Sequence, residues 1–273
     1  MMVNQTGHHC QSRVIVSWPN ASAKMNSSHK PALSIIIPAL NEAHSIGETL
    51  SAISRFAIAA EVIVVDGGSA DETQEITRAF GAKTISSERG RGQQMHRGVT
   101  IARGDVFWFL HADTIIPRGS VELIENVLRD DRVVGGNFDV RFAGSGAAVR
   151  FMNWLYPQLR RLGLSYGDSA VFVRREAYIK SGGFRSLPIF EDLDLLGRLR
   201  SVGEFAHLPA KVVTSSRRFE RGSFAVTFTR WVVMQGLYWI GVNPESLGRF
   251  YQPVRTAEKA ARRNNSGVTR YLR

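Results

Sequence analysis

Three short apolar runs, at residues 33–37 (LSIII), 61–65 (EVIVV) and 106–110 (VFWFL), each break off into a small polar turn. Runs rich in β-branched and aromatic residues, with little alternation, mark strands buried on both faces. Between them lie stretches of helical length: 45–53, then Asp71 as a cap through Phe80, then a glycine-punctuated loop and helix over 90–102. A further short strand is expected at 81–85. This β-α-β-α rhythm with short connections predicts an α/β fold with a doubly wound, mostly parallel sheet and helices on both faces. Pro38, which cannot donate to a ladder, should end the first strand. From about residue 133 the pattern loosens into an α+β half, suited to forming the other wall of a cleft.

In open parallel sheets, ligands bind beyond the carboxyl ends of the strands. Here those ends read Pro38-Ala39-Leu40-Asn41-Glu42, Asp66-Gly67-Gly68-Ser69-Ala70-Asp71 and His111-Ala112-Asp113. Gly67 and Gly68 let backbone approach a ligand, and Asp66 can accept from a ribose hydroxyl or a base N–H. Asp113 is placed either to hold a divalent cation against a phosphate or to make a plain Asp-Thr turn before Pro117. Neither the G-x-G-x-x-G fingerprint nor the Gly-Lys-Ser/Thr phosphate loop is present, so a nucleotide held by carboxylates would need a cation for its phosphates.

Charge narrows the partners. With a formal net charge of +11 over 273 residues, the chain suits an anionic ligand or an acidic membrane surface. Nucleic acid is not expected, because no known module occurs and aromatics do not interleave with the basic residues. The single cysteine, Cys10, excludes a disulfide framework and a thiolate zinc site, and points to a reducing, cytoplasmic setting. Residues 1–30, rich in Ser, Asn, His and Gln, read as a disordered extension. Residues 31–254 read as one domain, with a nucleotide-binding half over 31–132 and an acceptor half over 133–254. Residues 255–273 read as a basic tail.

A second pair of acids lies far downstream. Phe190, Leu193, Leu196 and Leu199 recur every three residues as an apolar stripe, and Glu191 and Asp192 open that helix, where its dipole favours carboxylates. Asp194 should face away from Asp192. Spacing alone leaves two readings, simple N-terminal helix acids or a positioned base. Gly167-Asp168-Ser169 reads as a turn before a strand at 170–173. The turn over 215–223 concentrates Arg217, Arg218 and Arg221, which suit either an anion or solvent.

Four segments together, SIIIPALNE (34–42), VIVVDGGSADET (62–73), FLHADT (109–114) and FEDLDLLGRLR (190–200), resemble the A-fold (GT-A) glycosyltransferases of family 2. HADT with SSRRFERGS (215–223) is similar to the radical-SAM/selenodomain-associated transferase 2 subgroup of that family. The resemblance implies inverting transfer of a sugar from a nucleotide-diphosphate donor, with uridine favoured, to a hydroxyl acceptor. It implies that Pro38, Ala39, Glu42, Asp66, Gly68 and Ser69 line base and ribose, and that Arg89, Arg91 and Gln94 contact the donor. Asp113 would coordinate Mn²⁺ or Mg²⁺, Asp192 would be the general base, and Ala112, Glu191, Arg217 and Arg218 would lie against substrate. His111 stands where relatives carry the first Asp of Asp-x-Asp. It either ligates the cation, which would favour Mn²⁺, or touches the ribose alone. The late Arg230-Trp231 pair lacks the Gln-x-x before it that marks processive relatives. A non-catalytic nucleotide-sugar binder is the alternative, and a sugar-phosphate nucleotidyltransferase fits less well, because no Gly- and Arg-rich loop follows the first strand.

The stretch 224–242 (FAVTFTRWVVMQGLYWIGV) is apolar and nearly long enough to span a bilayer, but Arg230 and Gln235 sit within it. A buried or interfacial helix is expected instead. With the basic tail beside it, it would suit peripheral membrane contact and a lipid-linked or carotenoid-like acceptor.

Overall fold

The computed structural model describes residues 32–56, 60–162, 164, 166–220 and 223–249. The expected N-terminal extension and basic tail lie outside the described residues. One eight-stranded sheet comprises β1 (Leu33–Ala39), β2 (Ala60–Asp66), β3 (Lys83–Ser86), β4 (Val106–Phe109), β5 (Thr114–Ile115), β6 (Val133–Phe142), β7 (Phe172–Arg174) and β8 (Glu204–Thr214), in the order β3-β2-β1-β4-β7-β6-β8-β5. The helices among the described residues are α1 (Ile46–Arg55), α2 (Thr73–Ala79), α3 (Arg91–Val99), α4 (Ser120–Val127), α5 (Ala147–Arg161), α6 (Arg175–Lys180), α7 (Glu191–Arg200), α8 (Arg217–Glu220), α9 (Phe224–Trp239) and α10 (Pro244–Gly248).

The first four strands are parallel, as their apolar runs require. Ile35, Ile36, Ile37, Ile63, Val64, Val65, Phe107 and Trp108 are all fully buried. Two separate clusters, one on each face of the sheet, cover them. Gly98 of α3 sits so close to β1 that a Cβ there would lie 2.5 Å from Ile36 Cγ2. In the far half, β7 runs against both β4 and β6, and β5 runs against β8, so the sheet is mixed there.

Two expectations need correction. Pro38 does not end β1; it pairs in register with Val65, and Ala39 continues the strand. The ladder to β4 stops at Ile36 and Phe109, so alternation turns the Pro38 nitrogen toward a side where no strand remains to receive an N–H. The three-residue stripe of α7 is likewise not one buried face. Leu195, Leu196 and Leu199 are buried, with Leu195 and Leu199 in the sheet-side cluster, while Phe190 and Leu193 pack with Met234 and Leu237 of α9. Nine residues make about two and a half turns, so Phe190 and Leu199 lie on opposite sides.

Candidate active site

In the order β2-β1-β4, the chain leaves β1 toward β2 on one side and returns to β4 on the other, a topological switch point whose crevice opens at the carboxyl ends. The loops after β1 and β2 are stitched together there. Asn41 donates its backbone N–H to Ser69 Oγ (2.8 Å) and accepts the Ala70 N–H at Oδ1 (2.8 Å). The Glu42 backbone N–H reaches Thr73 Oγ1 at 2.8 Å. Burial would raise the Asp71 carboxyl, but the Thr73 hydroxyl and the N–H groups of Ala43 and Thr73 donate to it and together hold it below the ordinary range. It therefore does bind the start of α2, as its position suggests.

Asp66, 1% exposed, ends β2 and takes the N–H groups of Gly68 (3.0 Å) and Ser69 (3.1 Å) together with Gln74 Nε2 (2.7 Å). Gly68 turns this corner at φ +85°, a conformation that side chains resist. Gln94, expected from the resemblance to contact the donor, is 3% exposed, and its Nε2 donates to the carbonyls of Ala39 (2.9 Å) and Val65 (2.7 Å). In the structure it braces the ends of β1 and β2. Arg89 stands exposed before α3.

At the end of β4, the Ala112 carbonyl accepts from Thr49 Oγ1 of α1 at 3.0 Å, which fixes the His111-Ala112-Asp113 turn. Thr114 pairs with Thr214 in the two-residue contact of β5 with β8, and this brings the start of α8 over the turn. Arg217 then spans two acids: its Nη2 lies 2.8 Å from Asp113 Oδ2 and 3.1 Å from Glu42 Oε2. It also meets Ser215 Oγ and His44. The Glu42 carboxylate further accepts from Ser45 Oγ at 2.7 Å. Sequence leaves Arg217 between an anion-binding group and a solvated charge; strand pairing, invisible in a linear pattern, assigns it to the acids. The side chains of Arg218 and Arg221 lie outside the described residues.

The opposite wall is built from α7 and a one-turn 3₁₀ helix, Gly167–Ser169. A tight cleft is lined by His111, Gly167, Glu191 and Asp192 over an apolar floor that includes Met95, Phe109 and Phe184. His111 and Asp192 therefore share one cavity. Gly167 donates its N–H to Asp192 Oδ2 at 2.5 Å. Trp108, buried in β4, donates Nε1 to the Ala170 carbonyl (3.1 Å), so the core anchors this turn. Asp194, as expected, points elsewhere, toward Arg198 and Arg185. Glu191 is 3% exposed and pairs with Arg91 Nε at 2.9 Å; burial raises its carboxyl above the ordinary range, Arg91 opposes that, and Asp192 adds to it. The buried Tyr166 hydroxyl is pushed up by burial and by the neighbouring Asp168 and Asp192.

Among the described residues, the non-glycine positions at positive φ are Asn41 (+53°), Ala170 (+52°) and Phe190 (+62°). Each lies on a loop that carries site residues, where strain of this kind tends to collect.

Among the described residues no group of three or more His, Cys, Asp or Glu converges as a metal cage. Hard cations bound with nucleotides commonly use only one or two protein carboxylates and complete their shell with phosphate and water. Asp113, with His111 two residues before it on the same turn, fits that shared arrangement and not a closed protein site.

A mostly parallel sheet carrying acids on three adjacent strand ends, with a second acid facing them across a cleft, is the architecture of the GT-A nucleotide-sugar transferases. Solved structures of this fold include glucosyl-3-phosphoglycerate synthase from Mycobacterium tuberculosis in complex with Mn²⁺, UDP and glucosyl-3-phosphoglycerate (20% identity, TM-score 0.55, covering 78% of this chain and 81% of that one). A mannosyltransferase from Pyrobaculum calidifontis in complex with GDP-Man and Mn²⁺ is similar (20% identity, TM-score 0.61, 81% and 69% covered). The chain belongs to glycosyl transferase family 2, whose model matches residues 34–187. Among curated relatives, glucosyl-3-phosphoglycerate synthase of Mycolicibacterium paratuberculosis is 33% identical over 96 residues (31% of this chain, 29% of the relative). The 4,4'-diaponeurosporenoate glycosyltransferase of Staphylococcus aureus is 36% identical over 110 residues (37% of this chain, 29% of the relative). The matched region spans less than a third of the length of these relatives.

Proposed function

We propose that this protein is an inverting glycosyltransferase that moves a sugar from a nucleotide-diphosphate donor, UDP-sugar favoured, to a hydroxyl acceptor. The observation that carries this reading is that Asp192 and His111 line one cleft, with Asp113 on the same turn as His111. Base and ribose would lie against Pro38, Ala39, Glu42, Asp66, Gly68 and Ser69. The Asp66 carboxylate, oriented by two backbone N–H groups, can accept a base N–H. Asp113, with His111 beside it, would hold Mn²⁺ or Mg²⁺ against the diphosphate, and the bound cation would offset charge on the leaving group. The structures of the M. tuberculosis synthase with UDP and either Mn²⁺ or Mg²⁺ support this choice of ions.

The chain's own groups then act in a fixed order. Asp192, held by the Gly167 N–H, takes the proton of the acceptor hydroxyl as its oxygen attacks the anomeric carbon from the face opposite the diphosphate. Arg217 can shift a hydrogen bond from Asp113 or Glu42 to a phosphate oxygen, so positive charge is already in place where negative charge develops. Glu191, neutralised by Arg91, shapes the wall behind Asp192.

For the acceptor, an amphiphilic alcohol of lipid-linked or carotenoid-like type has two supports. The S. aureus relative is named for 4,4'-diaponeurosporenoate, a carboxylate, which supports an extended organic acceptor but not the hydroxyl itself. The aromatic residues of α9 also touch the segments bearing the base: Trp231 meets Tyr166 (5.4 Å) and Tyr238 meets Phe190 (4.8 Å). The subgroup likeness of HADT and SSRRFERGS adds no substrate of its own.

The test is a thermal-shift panel of nucleotide-diphosphate sugars with and without Mn²⁺, followed by nucleotide release from the stabilising donor. Stabilisation that needs Mn²⁺, with turnover abolished by Asp192→Asn but binding retained, is the expected result. Turnover unchanged in Asp192→Asn would overturn the assignment of the base.

A further inference from the structure

Helix α9 is apolar on both sides. Its inner side is occupied: Phe224 and Phe228 pack against the main core, Met234 is buried, and Trp231 and Tyr238 hold the base-bearing segments. A surface helix with one face so used normally turns a polar face to water. Here the outer side presents Val226 (67% exposed), Val232, Val233, Trp239 and Ile240 (78%).

The patch continues onto α5. Phe151 rests against Phe224 and Phe228 at ring separations of 5.8 and 5.5 Å, and beside it Trp154 is 62% exposed. The charge within these two helices and at their ends has one sign, with Glu245 of α10 the exposed acid just beyond. Residues 147–162 and 223–243 contain no Asp or Glu, while Arg150, Arg161 and Arg230 are exposed. Downstream, the sequence over 250–273 supplies Arg255, Lys259, Arg262, Arg263, Arg270 and Arg273 against Glu258 alone.

We propose that the outer face of α9, together with Phe151 and Trp154 of α5, docks on the surface of an anionic lipid bilayer. An apolar strip rimmed by arginines, with tryptophans at its edge, matches the boundary between acyl chains and headgroups. Spanning is excluded for this element: sixteen residues reach about 24 Å, short of a hydrocarbon core of about 30 Å. No helix of the described residues is long and apolar enough to cross a membrane. The charge asymmetry selects anionic headgroups over neutral ones and makes the attachment sensitive to salt.

The experiment is flotation of the purified full chain with vesicles of phosphatidylcholine alone, or of equal parts phosphatidylcholine and phosphatidylglycerol, without nucleotide or acceptor. Because no turnover is read, its failure is distinct from failure of the transferase reading. The expected result is flotation with the mixed vesicles that weakens as salt rises, and a fall of about tenfold in partitioning for Val233→Asp and for Trp239→Ser. Both side chains are exposed, so melting temperature should stay at the wild-type value in each variant. Three results would overturn the proposal: a chain that floats with neither vesicle, equal flotation with both, or variants that float like wild type. A dimer by light scattering that the same substitutions convert to monomer would overturn it too, assigning the face to a second copy of the chain.

Discussion

Gly167→Ala tests the proposed role of Asp192 by moving its carboxylate without removing it. The Gly167 backbone lies outside the positive-φ region, so alanine is conformationally acceptable there. The new Cβ, however, would lie 2.9 Å from Asp192 Oδ2 and 3.0 Å from Asp192 Cβ. Comfortable contact between such atoms begins at about 3.5 Å, so the carboxylate must retreat by roughly half an ångström, and the 2.5 Å bond from the Gly167 N–H must lengthen or break. Misplacing a reacting group by about 1 Å costs about a hundredfold, whereas losing a general base outright costs about 10²–10⁴. Gly167→Ala should therefore lower kcat by about ten- to thirtyfold, or about 1.4–2 kcal/mol of barrier, and leave the donor KM near the wild-type value. The assay is steady-state release of UDP from the stabilising UDP-sugar in Mn²⁺, with wild type, Gly167→Ala and Asp192→Asn compared. A kcat for Gly167→Ala within twofold of wild type would refute the reasoning, because a base that tolerates a methyl group at that distance is not held by this turn.

Three other outcomes follow from the same geometry. Glu191 has a folded-state pKa raised above 4.5, chiefly by burial, so the native state binds the proton more tightly than the unfolded chain; stability is greatest below 4.5 and declines as pH rises through the folded value. Thermal melts taken from pH 4.5 upward should show this decline in wild type and a flatter profile in Glu191→Gln; equal slopes would contradict the assignment. Arg217→Met removes the cation that bridges Asp113 and Glu42 and should weaken UDP binding in Mn²⁺ by about tenfold, the loss of one charge-assisted bond, as read by titration calorimetry. Gln94→Ala strips a buried amide from the carbonyls of Ala39 and Val65 and should cost about 2 kcal/mol in urea denaturation. A Gln94→Ala protein of native stability would return this residue to a ligand-contacting role.

The parallel half of the fold is legible because its strands are buried on both faces, which leaves a local signature in 33–37, 61–65 and 106–110 that needs no knowledge of neighbours. The acids at strand ends follow from the same rule of topology. What a linear pattern does not carry is long-range pairing. Arg217 reaches Asp113 across 104 positions because β5 and β8 pair, and Gln94 turns inward because the two strand ends leave carbonyls for it to bridge. Gly167 reads as an ordinary turn, since only the folded α7 brings a carboxylate against it. The α7 stripe misleads for another reason. A three-residue spacing drifts around a helix of 3.6 residues per turn, so its apolar positions serve two clusters in succession.

The two-residue union of β5 and β8 has a bearing on how this protein could be re-engineered. Thr114 opposite Thr214 and Ile115 opposite Val213 bring the arginine to its acid, and Glu42, Ser215 and His44 hold it there. Deleting or adding a single residue in the span from Thr214 to Arg217 would therefore carry the guanidinium away from Asp113 and Glu42. Loop grafts that seek a new acceptor must count residues there as strictly as a splice counts bases.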